Sequence, residues 1–215
     1  GRGLDLLLES ANHWSGPGPQ ADTRGIPFEA WSAMNAAMVR VGAGKYDAWR
    51  LFQAAFILAM IPTFASRVPA FHHYSPGAAA KLANAVTLLY FATGGGKSEA
   101  FMGLLLFVVL LDRLRGKERG ISALMRYPLR LLTLQQARRT MSVLAAGELE
   151  RRRRNHPGEP FSLGFWVGGA NTPNWHSTPG VRDVWELAAK PVSEEPNVLE
   201  QAPYANVREQ WLKLE

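Results

Sequence analysis

The chain has 215 residues, a formal net charge of +6 at pH 7, 47% hydrophobic and 20% charged residues, and no cysteine. This composition is typical of a globular protein with one sizeable core, and it excludes disulfides and thiolate metal sites. The longest apolar run, residues 101–111, is too short to cross a bilayer. The sequence therefore predicts a cytoplasmic protein with no membrane partner.

The first 45 residues are predicted to form an N-terminal extension, with one helix over about residues 27–41. The sequence assigns no chemistry to this part of the chain. A second helix is predicted over about residues 46–60, where large apolar side chains recur, and it is predicted to stop at Pro62 because proline lacks a backbone donor.

From residue 85 onward, patterns typical of strands and helices alternate. Strands are predicted over residues 85–91, 121–127 and 161–167, and helices over residues 98–114 and 130–150. This alternation predicts an α/β fold in which crossover helices join the strands of a parallel sheet. Residues 181–215 are acidic and are predicted to form a linker with short helical segments.

A glycine-rich loop separates the first predicted strand from its helix. Three consecutive glycines allow backbone N–H groups to converge on phosphate oxygens at the positive end of a helix. Lys97 would then reach the β and γ phosphates of ATP, and the Ser98 hydroxyl would bind Mg²⁺. The predicted nucleotide-binding residues of this loop are Thr93, Gly94, Gly95, Gly96, Lys97, Ser98 and Glu99.

The assignment of this loop has an alternative. Phe91 stands where the general phosphate-loop pattern has its first glycine, so a glycine-rich turn with a chance lysine remains open. Lys97 and Ser98 are the predicted catalytic residues if the loop binds ATP.

Basic residues are concentrated between residues 113 and 154, a segment with twelve basic and three acidic residues. A basic stripe of this kind predicts contact with the phosphate backbone of a nucleic acid. The four arginines at positions 151–154 have a second interpretation as the solvated end of a helix.

These segments resemble the motifs of superfamily 2 helicases. Residues 93–98 are similar to motif I, and residues 128–135 are similar to motif Ia, whose usual form is P-T-R-E-L-A-x-Q. Residues 161–169 resemble the next strand and its double glycine, which approaches the nucleic-acid backbone in that superfamily. Residues 50–53 resemble the Q motif, in which the glutamine amide, here Gln53, reads the adenine edge.

A narrower resemblance connects three segments to the DrmA-like helicases of the DISARM phage-defence system. These segments are residues 93–101, 126–136 and 166–174. The resemblance implies a partial first RecA-like helicase domain over residues 46–180, with single-stranded DNA, or a duplex with a single-stranded end, as the ligand. It also implies a partner subunit in a defence complex. The implied nucleic-acid-binding residues are Arg126, Arg130, Thr133, Gln136, Gly168 and Gly169.

Hydrolysis in this superfamily requires a D-E-x-H or D-E-x-D box and arginine fingers from a second domain, and the sequence contains neither. The expectation is therefore the N-terminal part of a larger ATP-driven motor that does not hydrolyse ATP alone. The alternative is a nucleic-acid-binding or scaffolding module with a non-hydrolysing phosphate loop. A P-loop kinase or transporter ATPase is disfavoured, because those enzymes have no use for the segment at 128–135.

Overall fold

A computed structural model of the chain describes residues 1–42, 48–74, 87–90, 95–117, 119–126 and 130–164, and for residues 130–135 it describes the backbone alone. The chain divides into two compact units, Gly1–Leu163 and Gly164–Glu215. Of the second unit, the structure describes Gly164 alone. The predicted domain boundaries at residues 45–46 and 180–181 lie outside the described residues.

Helices form the regular structure of the described residues, and short 3₁₀ helices flank the longer ones at Thr23–Gly25 and Pro69–Tyr74. The predicted helices over 27–41, 98–114 and 130–150 are confirmed within three residues at each end. The helices are α1 (Arg2–Ala11), α2 (Ile26–Gly42), α3 (Leu51–Ala65), α4 (Lys97–Leu114) and α5 (Arg130–Arg153).

Helix α4 lies at the centre of the core and packs against α2, α3 and α5, while α1 packs against α2 and α3. Leu106, Phe107 and Leu110 on α4 are fully buried. A helix that is apolar around most of its circumference has to be covered on several sides, and here other helices cover it. No helix in the described ranges is long and apolar enough to span a membrane.

The predicted RecA-like parallel sheet is wrong for the described residues. Residues 87–90, 121–126 and 161–164, which are the described parts of the three predicted strands, form no strand. Leu88 and Tyr90 are 82% and 91% exposed. A strand forms only where a neighbouring strand completes its hydrogen-bond ladder. An apolar run predicts that its residues are buried, but it does not determine which segment packs against them. In the described structure, helix packing forms the core instead.

Helix α3 begins later than predicted, at Leu51, and it continues through Pro62 to Ala65. The prediction that it stops at Pro62 is wrong, because the proline removes a single donor and the helical pattern resumes with a bond from Ser66 N to Pro62 O. The carbonyl that loses its donor is that of Leu58, four residues earlier. Gly3 of α1 lies against this carbonyl, and a Cβ atom on Gly3 would be 1.8 Å from its oxygen.

Candidate nucleotide-binding site

A cleft of about 820 Å³ lies beside the N-termini of α3 and α4. Five of the eight predicted nucleotide-binding residues line it. Gly95 is described but is not part of the lining, and Thr93 and Gly94 lie outside the described residues. Side chains of α2 and α5 line the cleft as well. The polar and charged lining residues are Asn35, Arg50, Gln53, Lys97, Ser98, Glu99, Arg138, Arg139 and Ser142, together with Gly96 and Trp49.

The glycine loop ends at Gly96, which caps α4 with a left-handed backbone at φ +89°. Residues with a Cβ atom rarely adopt this conformation. A Cβ atom on Gly96 would also be 2.8 Å from Gln53 Nε2 and 3.3 Å from Glu99 Oε2. The loop therefore requires glycine at this position for both conformational and steric reasons.

The N-terminus of α3 holds the loop through two carbonyl groups. Arg50 donates a hydrogen bond from its guanidinium to Gly95 O at 2.7 Å, and Gln53 Nε2 donates to Gly96 O at 2.7 Å. Gln53 Oε1 accepts from the backbone N–H of Arg50 at 2.9 Å, which is half of a capping box on α3. The predicted Q-motif glutamine thus contacts the glycine loop directly.

Lys97 and Ser98 occupy the first turn of α4, where the helix dipole and the unpaired N–H groups favour an anion. Both side chains are half-buried and line the cleft. Glu99 forms an ion pair with Arg139 of α5, which connects the start of α4 to a helix forty residues further along the chain. The cleft thus has cationic and hydroxyl groups next to the loop.

Trp49 forms another wall of the cleft, next to Asn35 of α2. Its indole Nε1 donates to Asn35 Oδ1 at 2.6 Å, and Asn35 Nδ2 donates to Trp31 O at 2.8 Å. Gly103 provides the space for the indole, because a Cβ atom there would be 2.6 Å from the ring. The polar groups of Asn35 and Trp49 are therefore already hydrogen-bonded within the protein.

Four of the six predicted nucleic-acid-binding residues lie on the first part of α5 or shortly before it in the sequence. Arg126 is exposed just before it, and Gln136 is half-buried on it. Gln136 Oε1 is buried and has no hydrogen-bond partner among the described atoms. Arg130 and Thr133 are on the first two turns of α5, where the structure describes the backbone alone, and Gly168 and Gly169 lie outside the described residues.

At the C-terminal end of α5, two of the four arginines are buried and so are not part of the basic surface that the sequence suggested. Arg154 is buried and donates to Glu29 Oε1 at 3.0 Å. Glu29 also accepts from Trp14 Nε1 at 2.7 Å and from Gly18 N at 3.0 Å, and His156 Nε2 lies 2.7 Å from it. Burial by itself raises the pKa of Glu29, but the hydrogen bonds from His156, Trp14 and Arg154 outweigh it and lower the pKa.

Two further carboxylates neutralise the other arginines at this end of α5. Glu148 accepts from Arg151 and Arg152, and the Arg151 guanidinium lowers the pKa of Glu148 to about 2. Glu150 pairs with Arg153, with Arg154 and with Arg40 of α2. Both interpretations of positions 151–154 therefore fail for Arg151 and Arg154, which are buried and paired.

Another paired carboxylate, Asp112, lies near the end of α4. It accepts hydrogen bonds from Arg115 at 2.8 Å, Lys117 at 3.0 Å and Ser122 at 2.7 Å. Although burial raises the pKa of Asp112, these hydrogen bonds lower it overall. The described residues contain no group of three or more metal-ligating side chains.

Sequence reasoning missed Arg50 and Arg139 as parts of this site. Arg50 could have been found, because a residue three positions before Gln53 at a helix start matches the spacing of a capping box. The pairing of Arg139 with Glu99 has no local signal, since the two residues come from different helices.

Comparison with known proteins shows a similarity to a protein of bacterial phage defence. In an alignment 134 residues long that covers 59% of this chain, the sequence is 38% identical to the DISARM protein DrmA of Bacillus paralicheniformis. The chain spans 11% of the length of that protein. No family model matches the chain, and no solved structure matches it. The predicted DrmA-like relationship is confirmed.

Proposed function

We propose that this chain supplies the ATP-binding part of a DNA helicase or translocase that acts in DISARM phage defence with a partner subunit. The observation that carries the proposal is the glycine loop, in which Gly96 leads with a left-handed backbone directly into Lys97 and Ser98 at the start of α4. The relationship to DrmA supports the defence role.

The residues of the cleft suit a nucleoside triphosphate. Lys97 at the helix N-terminus provides a charge for the terminal phosphates, and the backbone N–H groups of the first turn provide further donors. Arg138 and Arg139 line the same cleft from α5. The negative charge of a triphosphate would thus meet cations from two helices.

Mg²⁺ fits the donor chemistry of this loop. The Ser98 hydroxyl is a hard oxygen ligand on the wall of the cleft, and Mg²⁺ commonly binds through one or two protein oxygens, phosphate oxygens and water. When bound, the ion would neutralise charge that develops on the phosphates. Ser98 would hold the ion, and Lys97 would orient the terminal phosphate.

DNA would contact Arg126 and the first half of α5, since the arginines at the other end of that helix are paired with carboxylates. ATP hydrolysis in the intact gene product would drive movement along the strand. The alternative, a scaffold with a non-hydrolysing phosphate loop, predicts DNA binding without DNA-stimulated turnover.

The first test is equilibrium binding of a fluorescent ATP analogue with Mg²⁺ to the chain and to the Lys97→Ala variant. Loss of one charge-assisted contact to phosphate is expected to weaken binding by about tenfold or more. Arg119→Ala is the matched control, because Arg119 is exposed and does not line the cleft. Circular dichroism verifies that both variants retain their helices.

Turnover distinguishes the motor from the scaffold. ATP hydrolysis by the intact gene product is measured with and without single-stranded DNA, together with DNA binding. DNA-stimulated hydrolysis that Lys97→Ala abolishes supports the motor. DNA binding with no stimulated hydrolysis supports the scaffold, and equal nucleotide affinity in wild type and Lys97→Ala contradicts both.

A further inference from the structure

Reading of adenine by a glutamine amide needs both polar atoms of that amide. In a bidentate contact, the amide oxygen accepts from adenine N6 and the amide nitrogen donates to N7. In this chain Gln53 Oε1 accepts from Arg50 N at 2.9 Å and Nε2 donates to Gly96 O at 2.7 Å. The two partners fix the amide orientation, since one is an N–H group and the other a carbonyl. Gln53 as a whole residue is 6% exposed, so little of the amide faces solvent.

The same two side chains set the direction of the loop's N–H groups. In a trans peptide the C=O and N–H bonds point to opposite sides. Arg50 binds the oxygen of Gly95, so the N–H group of the same peptide, that of Gly96, faces away from α3. Gln53 binds the oxygen of Gly96, so the N–H group of Lys97 also faces away from α3. These N–H groups are the ones that a phosphate-binding loop uses. The N-terminus of α3 thus acts on phosphate binding through the loop.

The other amide on the cleft wall is also committed to protein partners. Asn35 Oδ1 accepts from Trp49 Nε1, and Asn35 Nδ2 donates to Trp31 O. The remaining polar lining that the structure describes consists of cations and hydroxyl groups, such as Lys97, Ser98 and Arg138, together with Glu99. Lys97 and Ser98 lie in the first turn of α4 directly after Gly96, and Arg139 is paired with Glu99, so these groups are placed for phosphate oxygens at the glycine loop and not for the edge of a base.

We infer that Gln53 and Arg50 are positioning residues for the glycine loop, and that the cleft recognises the polyphosphate chain of its ligand without selecting the base. This inference rests on the proposed nucleotide-binding function. It replaces the adenine-reading role that the sequence suggested for Gln53 with a role in orienting backbone donors.

The test is calorimetric titration of the chain with ATP, GTP and inorganic tripolyphosphate, each with Mg²⁺. Wild type is expected to bind ATP and GTP within about threefold of one another, a difference smaller than one ordinary hydrogen bond. Gln53→Ala is expected to weaken all three ligands by the same factor, roughly three- to tenfold, since one hydrogen bond to the loop is lost.

Two further variants keep the test independent of folding. Gln53→Met preserves side-chain volume and helix propensity. If circular dichroism shows that Gln53→Ala loses helix, the affinities of Gln53→Met for the three ligands replace those of the alanine variant. Ser66→Ala removes the hydroxyl bond to Thr63 O at the other end of α3. It is expected to leave all three affinities unchanged, which separates general weakening of α3 from misorientation of the loop.

The outcomes separate this inference from the proposed function. A uniform loss supports the positioning role. A loss confined to ATP, a strong wild-type preference for ATP over GTP, no wild-type binding of tripolyphosphate, or unchanged affinities in the Gln53 variants would overturn it while nucleotide binding stands. If wild type binds none of the three ligands, the proposed function is overturned, and this inference with it.

Discussion

Helical spacing determines which of the four arginines at positions 151–154 are buried and which are exposed. The side chains of Arg151 and Arg154 are 10% and 5% exposed, whereas those of Arg152 and Arg153 are 64% and 60% exposed. Residues three apart share one face of a helix, so the first and last arginine point to the core together. Buried charge is tolerated there because each guanidinium contacts at least one carboxylate.

Replacement of Arg154 by methionine is expected to destabilise the chain by about 3 kcal/mol, because Glu29 and Glu150 would stay buried without one of their cationic partners. Arg152→Met is the matched control and is expected to cost less than about 1 kcal/mol, since Arg152 is exposed and Glu148 keeps Arg151. Urea unfolding followed by circular dichroism measures both values. Equal losses in the two variants would contradict the buried network.

At the scale of the element, the contact between α1 and α3 depends on a missing side chain and a missing donor. Pro62 leaves the Leu58 carbonyl without its helical partner, and Gly3 allows α1 to approach that carbonyl. Glycine inside a helix costs roughly 1 kcal/mol relative to alanine. A closer helix contact at this position offsets that cost.

Gly3→Ala should therefore lower stability despite the better helix propensity of alanine. The new Cβ atom would be 1.8 Å from a backbone oxygen, so α1 would have to shift, and the net loss is expected to be about 1 to 3 kcal/mol. Gly147→Ala on α5 is the comparison, because the nearest atom there is a leucine methyl group that can move. Thermal unfolding ranks the two variants, and a stabilised Gly3→Ala protein would show that α1 does not pack as described.

At the scale of the whole molecule, paired carboxylates connect the N-terminal helices to the end of α5. Glu29 and Arg40 on α2 bind Arg154 and Glu150, which are more than one hundred residues away in the chain. Residues 1–42 therefore contribute to the same compact unit as the candidate nucleotide-binding site. The hydrogen bonds also lower the pKa values of Glu29, Asp112, Glu148 and Glu150.

These lowered pKa values predict acid sensitivity. A carboxyl whose pKa is lower in the folded state stabilises the fold above its unfolded pKa and loses that contribution as pH falls through the folded pKa. For Glu148 this window runs from 4.5 down to about 2. The melting temperature is thus expected to fall steadily below pH 4.5. Glu148→Gln should melt lower than wild type at pH 7 and show a shallower decline, and parallel curves would contradict the assignment.

Local sequence determined much of this protein by itself. The helices α2, α4 and α5 follow from apolar periodicity and composition, because each bond of an α-helix joins residues four apart and needs no distant partner. The order of glycine, lysine and serine at the candidate site and the DrmA-like relationship were also visible in the sequence. These features depend on neighbouring residues alone.

Tertiary structure decided the rest. A strand requires a second segment, so the apolar runs at 87–90 and 121–126 could not by themselves make a sheet. The burial of Arg154 depends on Glu29, the passage of α3 through Pro62 accompanies the close approach of Gly3, and the orientation of the glycine loop depends on Arg50 and Gln53. Each of these features depends on interactions between residues far apart in the chain, so no local sequence pattern predicts it.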